Sequence, residues 1–342
     1  MATGHAVAVV GPTGLVGREI VRELRRRGFP MSRLGLFGTT RTAGASYAEE
    51  GLEGCIELLS SQAVRGHDLV FLAAGRTVAS EFARRLAADG AWVVDVSSAL
   101  RGEDDVALVI PEVNGAVLSE CPSRIASSPS PTSVALSVVL APLMQYWSLR
   151  RAVVSTYQGA AGAGTRAVQG LARETIRLLN AGNVEGQGEG RPLAFNCVPA
   201  VGALDGLGTS THERHVEEEA RRVLGPDVPA LHVTAVRVPI FVGTCLSLVV
   251  ESEGPMPVAE VATALRGAPG ILLHEGEAAY PTPREIAGSP ATHVGRLRAD
   301  PTVPHGVAVW ITLDTLAKGR AVNAVQIGEL IARDHLAECS SA

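Results

Sequence analysis

The segment AVAVVGPTGLVG, residues 6–17, decides the fold of the first part of the chain. Its first five residues are continuously apolar, as in a buried parallel strand. Gly11, Gly14 and Gly17 then form the pattern G-x-x-G-x-x-G, and apolar residues recur at helical spacing as far as Leu24. The segment therefore predicts a strand, a tight turn and a helix.

Glycines at a strand-to-helix turn let backbone N–H groups approach a pyrophosphate at the helix N-terminus. The alternative is a turn with a purely structural role. The next predicted strand ends at Phe37, and Arg41 follows it with no acidic residue where the 2′-hydroxyl of an NAD ribose would need one. We therefore expect a dinucleotide cofactor, NADP rather than NAD, with an ordinary solvated Arg41 as the alternative.

The composition excludes several classes of protein. The chain has 342 residues, of which 46% are hydrophobic and 19% charged, and its formal net charge is −5. Such a chain buries enough apolar surface to fold, and no basic run is long enough to bind nucleic acid. The uncharged stretch from Ile125 to Leu149 is broken by prolines and predicts a buried helix rather than a membrane span. No signal peptide precedes the first strand, so we expect a cytoplasmic protein without a membrane partner.

The cysteines give no sign of a disulfide framework or a zinc site. Five of them are dispersed along the chain without a C-x-x-C pair, at positions 55, 121, 197, 245 and 339. His212 and His215 could hold a metal together with Glu213 or Glu217, but acidic residues at this spacing are also typical of a solvated helix face. We expect reduced thiols and no metal.

Two patterns of secondary structure divide the chain. Apolar strands alternate with helices as far as about residue 125, which predicts a Rossmann-like, doubly wound parallel α/β domain. After the segment SSPSPTS the strands become longer and mixed, which predicts an α+β domain. The periodicity from Leu316 indicates a helix that returns to the first domain. We assign residues 1–128 with 316–342 to a cofactor domain and residues 129–315 to a substrate-binding and dimerisation domain.

Ten ordered segments resemble the aspartate-β-semialdehyde dehydrogenase family. They are GPTGLVG (11–17), TRTAG (40–44), VVDVSSALR (93–101), LVIPEVN (108–114), STYQGAAGAG (155–164), AFNCVP (194–199), VRVP (236–239), YPTP (280–283), VGRLR (294–298) and KGRAVNAVQI (318–327). The resemblance implies an oxidoreductase of amino-acid biosynthesis that forms a homodimer or a homotetramer.

The family's chemistry uses a cysteine thiolate that attacks an aldehyde, a hydride transfer to NADP, and a thioester that phosphate then splits. This sequence departs from that pattern. With Leu140-Ala-Pro-Leu143 aligned on the family, Pro131 holds the position of the nucleophile. Counting from Arg237 places Thr244 at the acid/base histidine, and neither residue can perform the original role. His212 and His215 stand where the family grips its substrate with a carboxylate and a lysine.

Other family positions are retained. The resemblance implies a phosphate-site arginine at Arg101, a substrate-orienting glutamine at Gln158 and a carboxylate clamp at Arg237. Lys318 is the single lysine of the chain and falls in a segment that the resemblance puts near the cofactor, although a surface lysine is an equal alternative. The predicted cofactor site comprises Gly11, Thr13, Gly14, Leu15, Val16, Arg41, Thr42, Gly75, Ser98, Gly162 and Lys318.

We also considered whether another group replaces the thiol. Ser130, Thr132 and Ser133 flank Pro131, but an alkoxide needs a base, and the histidine that would serve is absent from the family position. Cys197 and Cys245 could approach the cleft, but we interpret each as a small buried core residue.

Three hypotheses follow. The first is an NADP-dependent oxidoreductase that transfers hydride directly, without a covalent thioester, on a small carboxylate-bearing substrate derived from an amino acid. The second is a non-redox enzyme that uses the same cleft. The third is a catalytically silent homologue that acts as a binding or regulatory partner. Intact nucleotide motifs favour the first, and the loss of both chemical residues favours the third.

Overall fold

The computed structural model describes residues 4–49, 51–184 and 191–336. The chain forms two compact units. Unit 1 is Met1–Pro129 with Arg320–Ala342, and unit 2 is Ser130–Gly319. Cys339 lies outside the described residues, and the four cysteines within them are free thiols.

Unit 1 is built on a parallel sheet of seven strands in the order β5-β2-β1-β6-β7-β9-β8, beside a separate antiparallel hairpin of β3 and β4. Its strands are β1 His5–Val10, β2 Met31–Gly38, β3 Ser46–Glu49, β4 Leu52–Cys55, β5 Glu57–Leu58, β6 Leu69–Leu72, β7 Trp92–Asp95, β8 Ala107–Leu108 and β9 Ile125–Ser127. The central strands are buried on both faces, which is why they read as continuous apolar runs. The prediction of a doubly wound parallel domain is confirmed.

Helices cover both faces of this sheet. They include α1 Leu15–Arg26 on one face and α2 Ser61–Val64 and α3 Arg76–Ala88 on the other, and a short helix, α4 Pro111–Asn114, follows β8. The two faces of β1 belong to different cores. Val7 and Val9 pack with the buried face of α1, whereas Ala8 and Val10 pack with the buried residues of α3. This alternation along one strand is what a sheet enclosed between helices requires.

Unit 2 contains a mixed sheet of six strands in the order β11-β10-β12-β15-β14-β13. Its helices and strands are α5 Pro131–Met144, β10 Leu149–Gln158, α6 Thr165–Leu179, α7 Thr211–Leu224, β11 Ala230–Arg237, β12 Thr244–Ser252, α8 Val258–Arg266, β13 Ile271–Leu273, β14 Thr292–Asp300 and β15 Gly306–Leu313. The pairs β10/β11 and β13/β14 are parallel, and the other pairs are antiparallel. The prediction of a second, α+β domain is confirmed.

Helix α5 is the apolar helix predicted within residues 125–149. It packs against α7, α8 and three strands of the sheet, and nearly all of its side chains are buried. Its apolar character therefore follows from enclosure on every side. Among the described residues, no helix combines the length and the apolar composition that crossing a bilayer requires.

The C-terminal part of the chain returns to unit 1, as the sequence predicted. A wide, π-helical segment, Ala317–Val322, leads into α9, Asn323–Ile331. The Nδ2 group of Asn323 donates hydrogen bonds to the Val109 carbonyl at 3.0 Å and to the Ser128 hydroxyl at 2.9 Å. These buried bonds attach the first turn of α9 to the loops of unit 1.

Candidate functional site

The glycine turn after β1 lies against the loop that follows β6. Gly11 has a φ of +86°, and the Gly14 N–H donates to its carbonyl at 3.1 Å. A Cβ atom on Gly11 would lie 2.9 Å from the Ala73 carbonyl oxygen, and a Cβ on Gly17 would collide with the Gly11 carbonyl. Only glycine combines this backbone conformation with such a close approach. The turn predicted from the sequence is therefore a tight backbone loop around Gly11, Gly14 and Gly17, which we call the glycine cradle.

Two helices begin beside this cradle without a side-chain cap. α1 starts after Gly14 and α3 after Gly75, and neither N-cap residue satisfies the N–H groups of its first turn. β1 and β6 are neighbours in the sheet, and the chain order reverses direction between them. Ligands of doubly wound folds bind at this switch point, where uncapped helix N-termini favour phosphate groups. The predicted residues Thr13, Leu15 and Val16 belong to this turn and to the start of α1.

Arg41 and Thr42 follow β2, the strand next to β1. Arg41 is exposed, and the Thr42 N–H closes a turn by donating to the Thr39 carbonyl at 2.9 Å. A Cβ on Gly38 would collide with the Thr42 side chain, so this turn also depends on glycine. An exposed guanidinium therefore follows the end of β2.

The loop after β7 carries Ser98 and Arg101, both half-buried. Asp95, at the end of β7, is fully buried, and its Oδ1 accepts a hydrogen bond from the Ser97 N–H at 2.8 Å. Burial raises the pKa of Asp95, while the bonds to Ser97 and the positive charge of Arg101 oppose that shift. Arg101 thus lies near a buried acid within unit 1, whereas the other predicted substrate residues belong to unit 2.

In unit 2, sheet register brings three predicted residues into one row. Gln158 at the end of β10 is paired with Arg237 on β11 and with Thr244 on β12, and all three are buried. The Gln158 amide donates to the Thr156 hydroxyl at 3.0 Å, and Nη1 of Arg237 donates to the Gly159 carbonyl at 3.0 Å. A Cβ on Gly162, predicted to contact the cofactor, would come within 3.1 Å of that Nη1.

Arg237 lines a cavity of about 430 Å³ in unit 2. Arg166 and Arg191 also line it, together with apolar residues and Glu174. The Glu174 carboxylate accepts hydrogen bonds from the N–H groups of Leu193 and Ala194 at 2.7 and 3.0 Å. With its one acid bonded to the backbone and three arginines among its lining residues, the cavity suits a small anion.

Thr244 and Cys245 supply no acid/base group or nucleophile at this row. The Thr244 hydroxyl lies 3.1 Å from the Thr315 hydroxyl. Burial raises the pKa of the Cys245 thiol to about 11, so it is protonated at neutral pH. Cys245 is a core residue, as the sequence indicated, but Cys197 is exposed, so the interpretation of Cys197 as a buried residue is wrong.

Pro131 is the first residue of α5, and the serines around it serve the helix end. The Ser130 hydroxyl caps the helix by accepting from the Ser133 N–H at 3.2 Å, and the two hydroxyl groups lie 2.9 Å apart. The Ser130 N–H donates to Glu219 at 2.7 Å. These bonds make Ser130 and Ser133 structural residues of the helix start.

The structure adds a contact that the sequence did not suggest. The Thr132 hydroxyl lies 3.2 Å from Nε2 of His212, in the first turn of α7. The two residues are 80 positions apart, so no local pattern could have paired them. His215, one turn later, instead lines a separate cavity of about 260 Å³. Glu213 is occupied elsewhere, because its carboxylate accepts from the Ser210 and Ala235 N–H groups.

Lys318 is fully buried, which excludes the surface lysine considered from the sequence. It belongs to the π-helical segment, a feature that is often found at functional sites. A Cβ on the adjacent Gly319 would lie 2.8 Å from Cβ of Pro131, so the segment packs directly against the start of α5. Within the described part of the chain, no three His, Cys, Asp or Glu side chains are grouped closely enough to hold a metal.

Comparison with known proteins gives matches along most of the chain. The model of the family "Semialdehyde dehydrogenase, NAD binding domain" matches residues 6–121, and that of "Semialdehyde dehydrogenase, dimerisation domain" matches residues 140–318. The aspartate-semialdehyde dehydrogenase of Streptomyces akiyoshiensis is 36% identical over 344 residues, which cover 96% of this chain and 98% of that protein.

Solved structures give the same picture. The crystal structure of aspartate semialdehyde dehydrogenase II from Vibrio cholerae has a TM-score of 0.92 and 30% identity, covering 97% of this chain and 99% of that chain. A structure of the Vibrio cholerae enzyme complexed with ASA has the same TM-score, 0.92, with 31% identity and the same coverage, 97% and 99%.

Proposed function

The chain belongs to the semialdehyde dehydrogenase family, and we propose that it is an NADP-binding oxidoreductase that transfers hydride directly, without a covalent thioester. Its substrate in this proposal is a small carboxylate-bearing carbonyl compound, or the matching alcohol, derived from an amino acid. The observation that carries the proposal is Pro131 at the first position of α5, where the family resemblance assigns the nucleophile, in a chain whose glycine cradle is intact.

The chemistry of Pro131 supports a reaction without a covalent intermediate. Proline has no nucleophilic atom and no N–H group. The buried thiol of Cys245 is held protonated, and Thr244 cannot titrate near neutrality. Removing the nucleophile of a covalent enzyme costs on the order of 10⁶-fold in rate. Phosphate-dependent oxidation through a thioester is therefore not expected from this protein.

The cofactor proposal rests on the cradle and on Arg41. A bound nicotinamide cofactor would supply or accept the hydride. The N–H groups at the starts of α1 and α3 would hold its pyrophosphate. Arg41 would pair with a 2′-phosphate, and no acidic residue among positions 38–45 favours a free hydroxyl, so we infer NADP.

The substrate proposal rests on Arg237 and the basic cavity. A planar guanidinium binds both oxygens of a carboxylate at once, and Arg166 and Arg191 add positive charge to the same wall. The Vibrio cholerae relative is complexed with ASA. We infer for this chain a ligand of related class, a small aldehyde that carries a carboxylate.

We also propose a homodimer. The matched dimerisation domain covers residues 140–318. Large apolar side chains of unit 2 are exposed, among them Ile176, Leu179, Phe195 and Leu207. An interface would remove this apolar surface from water. A homotetramer and the cytoplasmic location stay predictions.

The same residues leave a second candidate, a catalytically silent homologue. The absence of a nucleophile at Pro131 and of a titrating group at Thr244 favours this reading, in which the protein binds NADP and a carboxylate as a partner or regulator. A non-redox enzyme that uses the same cleft would share these features. Turnover of the nicotinamide cofactor separates the first proposal from both alternatives.

The test supplies the purified protein with deuterium-labelled NADPH and L-aspartate β-semialdehyde. The proposal expects NADPH oxidation that does not depend on phosphate, with one deuterium in an alcohol product by mass spectrometry. Cys197→Ser is the matched control, because direct transfer does not use the exposed thiol. No transfer with this aldehyde or with succinate semialdehyde would contradict the proposal. NADP reduction that requires phosphate and disappears in Cys197→Ser would reveal a relocated thiol.

A further inference from the structure

Direct hydride transfer leaves one chemical requirement that Pro131 and Thr244 do not meet. When a hydride adds to a carbonyl carbon, negative charge develops on the oxygen, and a proton must be delivered there. Thr244 has only a hydroxyl, which lies against that of Thr315. In the proposed function the reacting carbonyl lies at Pro131, the position that the family resemblance assigns to the nucleophile, so we look for a proton donor beside the start of α5. This inference rests on the proposed function.

The neighbouring carboxylates of α7 are already engaged with backbone groups. Glu219 accepts from the Ser130 N–H at 2.7 Å. Glu213 accepts from the N–H groups of Ser210 and Ala235 at 2.6 and 2.7 Å. Both carboxylates are buried. Glu219 holds the start of α5, and Glu213 holds the start of α7 and strand β11. Their hydrogen bonds assign them a structural role.

We propose that Thr132 and His212 form a proton relay that serves the carbonyl oxygen of the substrate. The Thr132 hydroxyl, next to Pro131, lies 3.2 Å from Nε2 of His212, within hydrogen-bond reach. A hydroxyl both accepts and donates a proton, so it can pass a proton from an imidazole to an oxygen on its other side. Histidine is the side chain whose ordinary pKa suits this exchange near pH 7.

Hydride addition and proton transfer together reduce the carbonyl group to an alcohol. A C–H bond of NADPH would break to supply the hydride, whose electron pair forms the new C–H bond at the carbonyl carbon, while the electrons of the C=O π bond move to oxygen. That oxygen takes the proton of the Thr132 hydroxyl, and Thr132 takes a proton from Nε2 of His212. The carbonyl compound is reduced, NADPH is oxidised, and one proton is consumed.

Burial fits these two roles. Thr132 is 1% exposed, so its hydroxyl is shielded from bulk water that would compete for the proton. His212 is half-buried, so its ring can regain a proton from solvent after each turnover. The relay therefore joins a buried hydroxyl beside Pro131 to a partly exposed imidazole ring.

The charged surroundings of His212 are defined by the elements that pack against α7. Helix α5 contributes no titratable or charged side chain. Strand β11 contributes His232 and Arg237, and α7 itself contributes Glu213 and His215 beside His212. His232→Gln therefore serves as the control for loss of a titratable group from the strand beside α7.

The test measures NADPH-dependent reduction of L-aspartate β-semialdehyde over pH 5.5–9 in the full-length protein. His212→Gln is expected to lower kcat by about 100-fold or more, the usual size of general acid catalysis. It should also abolish the fall in rate that deprotonation of His212 causes as pH rises. Thr132→Val should give the same loss, and Thr132→Ser, which keeps the hydroxyl, should restore the rate. His232→Gln, an exposed histidine outside the relay, should leave the rate unchanged.

A second measurement is independent of turnover. Proton NMR of the cofactor-free protein follows the titration of the His212 ring, assigned through His212→Gln. Thr132→Val should shift this titration, and Thr132→Ser should not. NADPH binding, followed by its fluorescence, should be equal in all variants, which shows that they are folded.

The outcomes separate the two proposals. Turnover in the wild-type protein that His212→Gln retains with an unchanged pH profile would overturn the relay and leave the proposed function intact. A His212 titration unaffected by Thr132→Val would also overturn the relay. No turnover in the wild-type protein would overturn the proposed function and the relay with it.

Discussion

Two helix starts, α1 in unit 1 and α5 in unit 2, are built in opposite ways. α1 begins after Gly14 with no side-chain cap, beside a turn that only glycine can form. α5 begins with Ser130 as a capping residue and Pro131 as its first residue. At the start of α1 no side chain bonds to the backbone N–H groups, so a ligand can bind them. At the start of α5 the Ser130 hydroxyl accepts from one N–H group, and Pro131 has no N–H group. In the proposed function, unit 1 would therefore bind through its backbone, and unit 2 would act through side chains.

The largest expected effect is on the backbone cradle. Gly11→Ala introduces a Cβ 2.9 Å from the Ala73 carbonyl at a φ of +86°. We expect NADPH binding to weaken by at least about 100-fold, since a shift of this turn moves every N–H group that faces the pyrophosphate. Isothermal titration calorimetry measures the change.

Gly28→Ala is the matched control for this substitution. Gly28 also has a positive φ, +62°, but no atom lies within 4 Å of the position of its Cβ. It should cost only about 1–2 kcal/mol of stability and leave cofactor affinity unchanged. Equal affinity in wild type and Gly11→Ala would show that unit 1 does not bind through this turn.

The next effect tests the side chains of unit 2. Arg237→Ala should lower affinity for small dicarboxylates by roughly 10–100-fold, because hydrogen bonds to a charged group are each worth about 1.5–3 kcal/mol. Arg237→Lys should recover only part, since an ammonium lacks the planar fork. Thermal shift with succinate and N-acetylaspartate reports the binding, and the exposed Arg284→Ala is the control. Unchanged binding in Arg237→Ala would remove the carboxylate site from this cavity.

Arg41 gives a smaller effect, because its side chain is exposed. Arg41→Ala should weaken NADPH binding by about tenfold, or 1.4 kcal/mol, and leave NADH binding unchanged. Arg25→Ala, an exposed arginine in the last turn of α1, controls for the loss of one positive charge. If NADPH and NADH lose affinity equally, Arg41 does not read the 2′-phosphate.

Capping is tested by Ser130→Ala. Loss of the hydroxyl removes the cap on the Ser133 N–H and should lower the free energy of unfolding by about 1 kcal/mol. Gly14→Ala removes no cap from α1, and its Cβ would meet the Gly11 oxygen at an ordinary 3.5 Å, so it should cost less. Urea unfolding of both variants makes the comparison. Equal losses in the free energy of unfolding would mean that a side-chain cap does not distinguish the start of α5 from the start of α1.

The smallest effect is a dependence of stability on pH. His293 in unit 2 lies 2.9 Å from His274 and 2.7 Å from the Ser289 hydroxyl. Burial, with a contribution from His274, lowers the pKa of His293 below its usual 6.5. The unfolded chain thus binds the proton more readily, and the stabilisation present above pH 6.5 is lost as pH falls through the folded-state pKa.

The melting temperature should therefore fall by a few degrees between pH 7.5 and pH 5.5. His293→Phe should reduce that difference, whatever its effect on the absolute melting temperature. His232→Gln, at an exposed position, should retain the wild-type difference. An unchanged pH difference in His293→Phe would exclude this histidine as the cause.

Local patterns were sufficient for much of the fold. The apolar run of β1, the glycine turn and α1 follow from contiguous residues, and α5 is the apolar helix predicted within residues 125–149. The structure adds a capping box at the start of α7, between Ser210 and Glu213, whose spacing is equally local. These features depend on neighbours in the sequence, which is why the sequence reveals them.

The candidate site was less accessible from the sequence. The family resemblance pointed to Gln158, Arg237 and Thr244, but sheet register is what brings them into one row. The pairing of Thr132 with His212 was missed because it joins α5 to α7 across 80 positions. Cys197 was misjudged because cysteine is more often buried, and only the loop that carries it decides its exposure.

The sequence by itself determined the two kinds of sheet, the glycine cradle and the proline at the start of α5, since each is a property of residue types at short spacing. Tertiary structure alone decided that Lys318 is buried, that Glu213 and Glu219 hold backbone groups, and that a histidine faces Thr132. The physical reason is that burial and hydrogen-bond partners depend on which distant segments pack together. The residue types in the sequence determine which chemistry a side chain can perform, and tertiary packing determines which groups that side chain contacts.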